Sequence, residues 1–196
     1  MAADDTVKAD VVLLVADASN LKRNLLFCSQ IIDLKIPVVI ALTMNDIAAK
    51  KDIQIDISGL EAELGIPVVA VNPRKNKGLG ELKKVLSHVA KRPLGIHTRD
   101  FMNTKKLASP SIDAIQKLYP QLSDYAAIHY LINHEHFPLE PAMQAAIEKI
   151  ETDNHFNPTK TQAEEIMQRY TRIRQIMQQH VIESGPLEKK MVTDKL

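Results

Sequence analysis

The sequence predicts an α/β fold, with a partial parallel sheet over residues 1–92 followed by an all-α helical bundle over residues 93–186. Three observations carry this division. Apolar, β-branched runs alternate with helix-period segments in the first half, the pattern of right-handed βαβ units. Past residue 92 no strand-like run is found, and amphipathic segments with short connections follow one another instead. Between the halves, Arg92-Pro93-Leu94-Gly95 breaks both patterns and marks the boundary.

Residues 11–16, all Val, Leu or Ala, form an apolar run that ends on Asp17. Short runs of this kind, bounded by polar residues, read as buried parallel strands. Leu21, Leu25, Cys28 and Ile32 then recur at helical spacing, and that pattern ends near Pro37. Residues 37–43 make a second strand, after which a short polar helix follows Asp46. A helix over 57–64 is closed by Gly65 at its C-terminal cap. Residues 67–71 make the third strand. The turn over 72–80 is rich in Lys, Gly and Pro, and residues 81–90 form a helix with Leu82, Val85, Leu86 and Val89 on one side.

In the second half, Ile112, Ile115 and Leu118 mark a helix over 111–118, and Ser123 is the N-cap of a helix carrying Tyr125, Ile128 and Leu131 or Ile132. Pro138 and Pro141 open a helix with Met143, Ala146, Ile147 and Ile150. Asn157-Pro158 starts the longest helix, with Ala163, Ile166, Tyr170, Ile173, Met177 and Val181 as its apolar stripe and Gly185-Pro186 as its stop. Lys160, Arg169, Arg172 and Arg174 read as a solvated face opposite that stripe.

Composition narrows the function classes. Of 196 residues, 45% are hydrophobic and 25% charged, and the net charge of +1 gives no field to draw nucleic acid or an anionic membrane. One cysteine, Cys28, supports no disulfide framework and reads as an inert core residue. Apolar runs are strand-sized, short of the ~18 residues that suggest a membrane span, and no signal pattern opens the chain. The chain reads as soluble and cytosolic.

None of the six glycines has the spacing of a phosphate-cradling P-loop, so this chain cannot hold a triphosphate in that manner. Base recognition is a separate matter. An aspartate at a strand end accepts two hydrogen bonds from guanine's N1–H and exocyclic amine, whereas adenine offers no matching donor pair. Asp46 suits that role, Met44 could cover a flat base, and Asn72-Pro73-Arg74 at the end of the third strand could supply a backbone N–H to the guanine oxygen. The competing reading makes Asp46 a helix cap and the 72–78 segment a solvated turn. His129, His134, Glu135 and His136 invite a metal reading, but histidines two apart on a helix do not face each other, and the segment reads as a frayed, solvated helix end. Asp17 caps or orients a loop.

Thr43-Met44-Asn45-Asp46 resembles the Asn-Met-x-Asp variant of the G-protein base motif found in the ferrous iron transport protein B family. Residues 17–25, Asp-Ala-Ser-Asn-Leu-Lys-Arg-Asn-Leu, resemble that family's Asp-Ala-x-x-Leu-x-Arg-Asn-Leu segment. Leu64-Gly65-Ile66-Pro67-Val68 is similar to its approach to the last strand, and Asn72-Pro73-Arg74 with Gly78 to its Ser-Ala-Arg loop. Arg169-Tyr170-x-x-Ile173 resembles a motif of its helical domain, and residues 187–196 its lead-in to the membrane region.

The resemblance implies a piece of a larger protein: the last three strands of a P-loop-type G domain over 1–92, then a helical, dissociation-inhibitor-like domain over 93–186. It implies GTP or GDP as the intact protein's ligand, Mg2+ held through residues outside this chain, and no nucleotide tightly bound to the chain by itself. The residues carried over for the base are Thr43, Met44, Asp46, Asn72, Pro73 and Arg74; no catalytic or metal-binding residue is carried over. Thr43 replaces the family's leading asparagine, and Pro73 replaces an alanine and has no N–H, so base affinity is expected to be reduced. Without P-loop and switch motifs the chain is expected to have no GTPase activity. The implied partners are the N-terminal half of the G domain, a C-terminal membrane domain that moves Fe2+, and a second copy through the sheet edge at residues 11–16, which the family's first strand would cover. The implied location is the cytoplasmic face of a bacterial inner membrane. Two readings remain open beside it. One is a stand-alone α/β-plus-helical interaction module without a nucleotide role; the other is a small-molecule enzyme using Asp17 and Asp46.

Overall fold

Three parallel strands, β1 (Val12–Asp17), β2 (Val38–Thr43) and β4 (Val68–Ala70), lie in the order β1-β2-β4 in a computed structural model that describes residues 9–91 and 99–183. The expected boundary at 92–95, the stop at Gly185-Pro186 and the segment 187–196 fall outside the described residues. Register pairs Asp17 with Thr43 and Leu42 with Ala70, so the carboxyl ends of all three strands share one rim. In β2, Val38, Val39, Ile40, Ala41 and Leu42 are all buried, as a central strand covered on both faces requires.

The helices divide between the faces of this sheet. Helices α1 (Leu21–Asp33) and α3 (Ile57–Leu64) join Leu14, Ile40, Leu42 and Val68 in one apolar cluster. Helix α4 (Leu79–Ala90) covers Val39, Ala41 and Val71 on the other face with Leu82 and Val89. The spacing of Leu21, Leu25, Cys28 and Ile32 is the reason α1 forms where it does. All four are buried, each large aliphatic side chain contributing about 1.5–3 kcal/mol. Gly65 ends α3 with φ of 69°, the left-handed turn that favours glycine.

The helical half contains α5 (Ser109–Leu118), α6 (Asp124–Asn133), α7 (Pro141–Asp153) and α8 (Pro158–His180). Ser123 caps α6 by accepting from the Ala126 N–H, and Asn157 caps α8 by accepting from the Lys160 N–H. Ile112, Ile115, Ile128, Leu131 and Ile147 form the core between α5, α6 and α7.

One short strand departs from the expectation that none lies beyond residue 92, and it pairs with a second short strand that the sequence reading did not include. Ile53–Ile55 (β3), which follows α2 (Asn45–Lys50), pairs antiparallel with Val181–Glu183 (β5). Val181 therefore belongs to a ladder rather than to the stripe of α8. His180 reinforces the junction: its carbonyl accepts from the Asp56 N–H at 2.8 Å, and its ring lies 3.2 Å from the Asp56 carboxylate. Gly59 makes room for that ring, since a Cβ there would fall 2.0 Å from His180 Nδ1.

The buried face of α8 also differs. Thr161, Glu165, Arg169, Ile173 and Ile176 point inward, while Ile166 and Tyr170 are exposed, as is Ala163. Arg169 is thus a core residue, 0% exposed, and not part of a solvated face. Its guanidinium donates to Asp33 Oδ2 at 2.9 Å and to Glu165 Oε1 through Nε at 2.7 Å, and sits 4.9 Å from the Tyr125 ring centroid. Asp33 in turn accepts from the Phe101 N–H at 2.7 Å. A buried arginine flanked by two carboxylates satisfies the desolvated charges, which is why it can occupy a core. Arg172 is half-buried and stacks 4.7 Å from the Phe101 ring, whereas Lys160 and Arg174 are exposed.

His134 is likewise not a solvated helix end. It is buried, with Gln144 Nε2 2.8 Å from Nδ1 and Glu151 Oε2 3.3 Å from Nε2, so the short 3-10 turn His134–His136 docks onto α7.

Candidate functional site

The rim at the carboxyl ends of β1, β2 and β4 is where an open α/β sheet places ligand chemistry. Asp17, at the end of β1, accepts from the Ser19 N–H at 2.8 Å and caps the turn Ala18–Asn20, as its loop-orienting role anticipated. Thr43, at the end of β2, donates its hydroxyl proton to the Ala16 carbonyl at 3.0 Å and ties β2 to β1.

Met44 then adopts the left-handed conformation, with φ of 57° and ψ of 27°, and stands exposed at the head of α2. Non-glycine residues rarely take this conformation, and those that do concentrate at functional turns. Met44 is the N-cap position, so Asp46 lies inside the first turn and does not cap α2. Its carboxylate is exposed and makes no hydrogen bond or ion pair among the described residues.

The loop after β4 is a closed unit. Asn72 N–H donates to the Lys77 carbonyl at 2.9 Å, Lys77 N–H returns to the Asn72 carbonyl at 3.0 Å, and Asn72 Oδ1 accepts from the Lys75 N–H at 3.1 Å. Asn76 and Gly78 both have positive φ, and a Cβ on Gly78 would fall 2.2 Å from the Ala70 carbonyl oxygen. Pro73, Arg74 and Lys75 form a single 3-10 turn facing solvent.

These loops are joined by a residue absent from the expected site. Asn45 Nδ2 donates to the Leu42 carbonyl at 2.7 Å and lies 3.4 Å from the Val71 carbonyl, bridging the ends of β2 and β4. Its place between Met44 and Asp46, just past the end of β2, was the only sequence signal. The fold thus places Thr43, Met44 and Asp46 on one loop and Asn72, Pro73 and Arg74 on the adjacent one, with Asn45 between them.

The rim divides its polar groups between two loops. It offers an uncommitted carboxylate on one loop and backbone donors on the next, but no glycine loop for phosphates. A cleft of about 530 Å3 between α3 and α8, lined by Glu63, Arg99, Arg172 and Gln175, contains none of the rim residues. Among the described residues no group of three or more His, Cys, Asp or Glu side chains is placed to hold a metal. Burial pushes the Cys28 thiol up to about 12, which removes it as a nucleophile.

Residues 4–86 match the family model for ferrous iron transport protein B. The Fe(2+) transporter FeoB of Leptospira biflexa is 46% identical over 78 residues, covering 40% of this chain and 11% of that protein. Its Escherichia coli counterpart is 45% identical over 75 residues, covering 38% and 10%. The matched stretch is thus about a tenth of these curated relatives' length. Among solved structures, the cytosolic domain of the T. maritima FeoB iron transporter in its GMPPNP form superimposes with a TM-score of 0.71 at 20% identity, covering 90% of this chain and 69% of that one. A GDP-bound point mutant of the S. thermophilus FeoB G-domain gives 0.66 at 26% identity, covering 89% and 70%. Over residues 4–86 the chain is thus similar to the ferrous iron transport protein B family, and its α/β fold is the one seen in solved FeoB cytosolic domains.

Proposed function

We propose that this chain contributes the guanine-reading half of the nucleotide site in a GTP-dependent ferrous iron transporter, together with the helical domain that joins that site to the membrane region. The observation that carries this reading is the Asp46 carboxylate, exposed and unpaired at the end of β2 beside the loop after β4. Asp46 would accept from guanine N1–H and the exocyclic amine, while Met44 covers one face of the ring. Pro73 has no N–H and the Lys75 N–H is held by Asn72, which leaves the Arg74 N–H for the guanine oxygen. Thr43 holds the reading loop to β1. Relatives solved with GDP and GMPPNP support a nucleotide role for the family's G-domain.

Phosphate and Mg2+ binding would come from an N-terminal half of the G domain, the first implied partner. When bound, GTP would supply the γ-phosphate whose hydrolysis switches such domains. Residues 1–92 would form the G-domain half, and residues 93–186 the helical domain leading toward a membrane region on the cytoplasmic face of a bacterial inner membrane. Among the described residues no helix is long and apolar enough to cross a membrane.

The edge of β1, open among the described residues, supports the partner assignment. Leu13 and Val15 are 41% and 66% exposed, although their register partners Val39 and Ala41 are buried beneath α4. Among the described residues no strand pairs with the outer edge of β1, and such an edge with two exposed aliphatic side chains invites another strand, from an N-terminal half-domain or a second copy. The test is a titration of GDP against ADP, followed by NMR on the chain and by fluorescence on the chain fused to a P-loop-bearing half. Binding of GDP at least tenfold tighter than ADP supports guanine reading. Equal response to both nucleotides would favour an interaction module without a nucleotide role.

A further inference from the structure

We infer that Asn45 is a positioning residue of this rim. Its side-chain amide sets the distance between the carboxylate that meets the base edge and the loop that meets the base oxygen. The inference rests on the guanine-reading assignment above, and it follows from how the donors at the strand ends are divided.

Leu42 and Ala70 are the last register pair of β2 and β4. Past them, Val71 N–H donates to the Leu42 carbonyl at 2.9 Å, and there the ladder ends. Asn45 Nδ2 approaches the same Leu42 carbonyl at 2.7 Å and the Val71 carbonyl at 3.4 Å, adding a side-chain rung one step beyond the backbone ladder. Thr43 cannot supply that rung. A hydroxyl has a single proton, and that of Thr43 is engaged by Ala16 on the opposite side, in β1. Labour is thus split, with Thr43 facing β1 and Asn45 facing β4. The left-handed turn at Met44 carries the chain back so that residue 45 can reach β4.

Because residues 72–77 are held together by their own hydrogen bonds, fixing Val71 fixes the loop as a unit. Asp46 is the next residue after Asn45 in the first turn of α2, so the same amide also anchors the carboxylate. In the Asn-Met-x-Asp pattern that these residues resemble, position 45 is the variable one. A polar amide at position 45 supplies an inter-loop tie in a loop where Thr43 stands in place of the pattern's leading asparagine.

The test is Asn45→Leu in the full chain, which keeps side-chain size and removes the donor. Amide hydrogen exchange is read at Val71, whose N–H donates to the Leu42 carbonyl, and GDP affinity is read by NMR titration beside Asp46→Asn. We expect exchange at Val71 to accelerate about tenfold, the equivalent of one lost hydrogen bond, with the β1–β2 ladder unchanged and GDP affinity reduced by a similar factor. Unchanged exchange at Val71 overturns the inference, as does an equal acceleration through the β1–β2 ladder, which would mark general destabilisation. If Asp46→Asn abolishes GDP binding while Asn45→Leu binds at full strength, the positioning role fails and guanine reading stands. If the wild-type chain shows no GDP binding, guanine reading fails, and the exchange comparison alone still decides whether Asn45 holds the loop.

Discussion

Arg169 on α8 donates to Asp33, the last residue of α1, across 2.9 Å with both side chains removed from solvent. One ion pair therefore fastens the longest helix of the chain to the first helix of the α/β half. Burial raises the Asp33 carboxyl above its ordinary value, and Arg169 opposes that rise. Asp33 also holds the Phe101 N–H, so the pair fixes the segment entering the helical half.

Replacing Arg169 by alanine strands two carboxylates, Asp33 and Glu165, in the core. Urea unfolding should show a loss of about 3–5 kcal/mol, in the range for breaking a buried pair from one side. The sign of its pH dependence follows from Asp33. A carboxyl whose folded value is raised binds its proton more readily when folded, so the variant's deficit shrinks as pH falls through that value. A loss below 1 kcal/mol would place Arg169 on a solvated face after all.

Cys28 should be silent in the native state. Its thiol is buried in α1 and pushed up to about 12, so a thiol reagent at pH 8 finds almost no thiolate. Labelling is expected only at the rate of unfolding, rising in step with urea. Fast stoichiometric labelling in buffer would contradict the packing of α1.

Asp56 should titrate below the ordinary aspartate value of about 3.9, because its carboxylate accepts from the Gly59 N–H and lies against His180. A depressed folded value contributes stability that is present above the unfolded value and lost as pH falls through the folded one. In His180→Ala, carboxyl 13C NMR should show the midpoint moving up part of the way, since the Gly59 bond, the larger cause, remains. An Asp56 midpoint at or above the ordinary value in the wild-type chain would deny the junction between α3 and β5.

The edge of β1, open among the described residues, predicts self-association. Light scattering should detect dimers that grow with concentration, and Val15→Lys should suppress them by placing a charge on the exposed edge strand. A monomer at millimolar concentration would remove the second-copy partner.

Much of the rim was legible because it depends on strand ends, which sequence marks well. An apolar run stopping at Thr43 and another stopping before Asn72 suffice to place two loops side by side once the strands are parallel. Asn45 escaped notice because the second carbonyl it reaches, that of Val71, is 26 positions away, a relation that no local pattern encodes. Arg169 was misread for a related reason. On a helix with Lys160, Arg172 and Arg174 it looks like one more surface charge, and its partner Asp33 is 136 positions distant. The stripe through Ile166 and Tyr170 then seemed the buried face, although the helix turns Glu165 and Arg169 inward instead. The β3–β5 ladder was hidden by length, since three residues carry too little alternation to register as a strand.

The most direct measurement is base preference in Asp46→Asn, made on the chain fused to a P-loop-bearing half-domain. A carboxylate matches the two donors of guanine, whereas an amide presents one donor and one acceptor, which matches xanthine. The account predicts that the wild-type fusion prefers GDP over XDP and that the variant reverses this order. If both proteins rank the two nucleotides alike, Asp46 does not read the base.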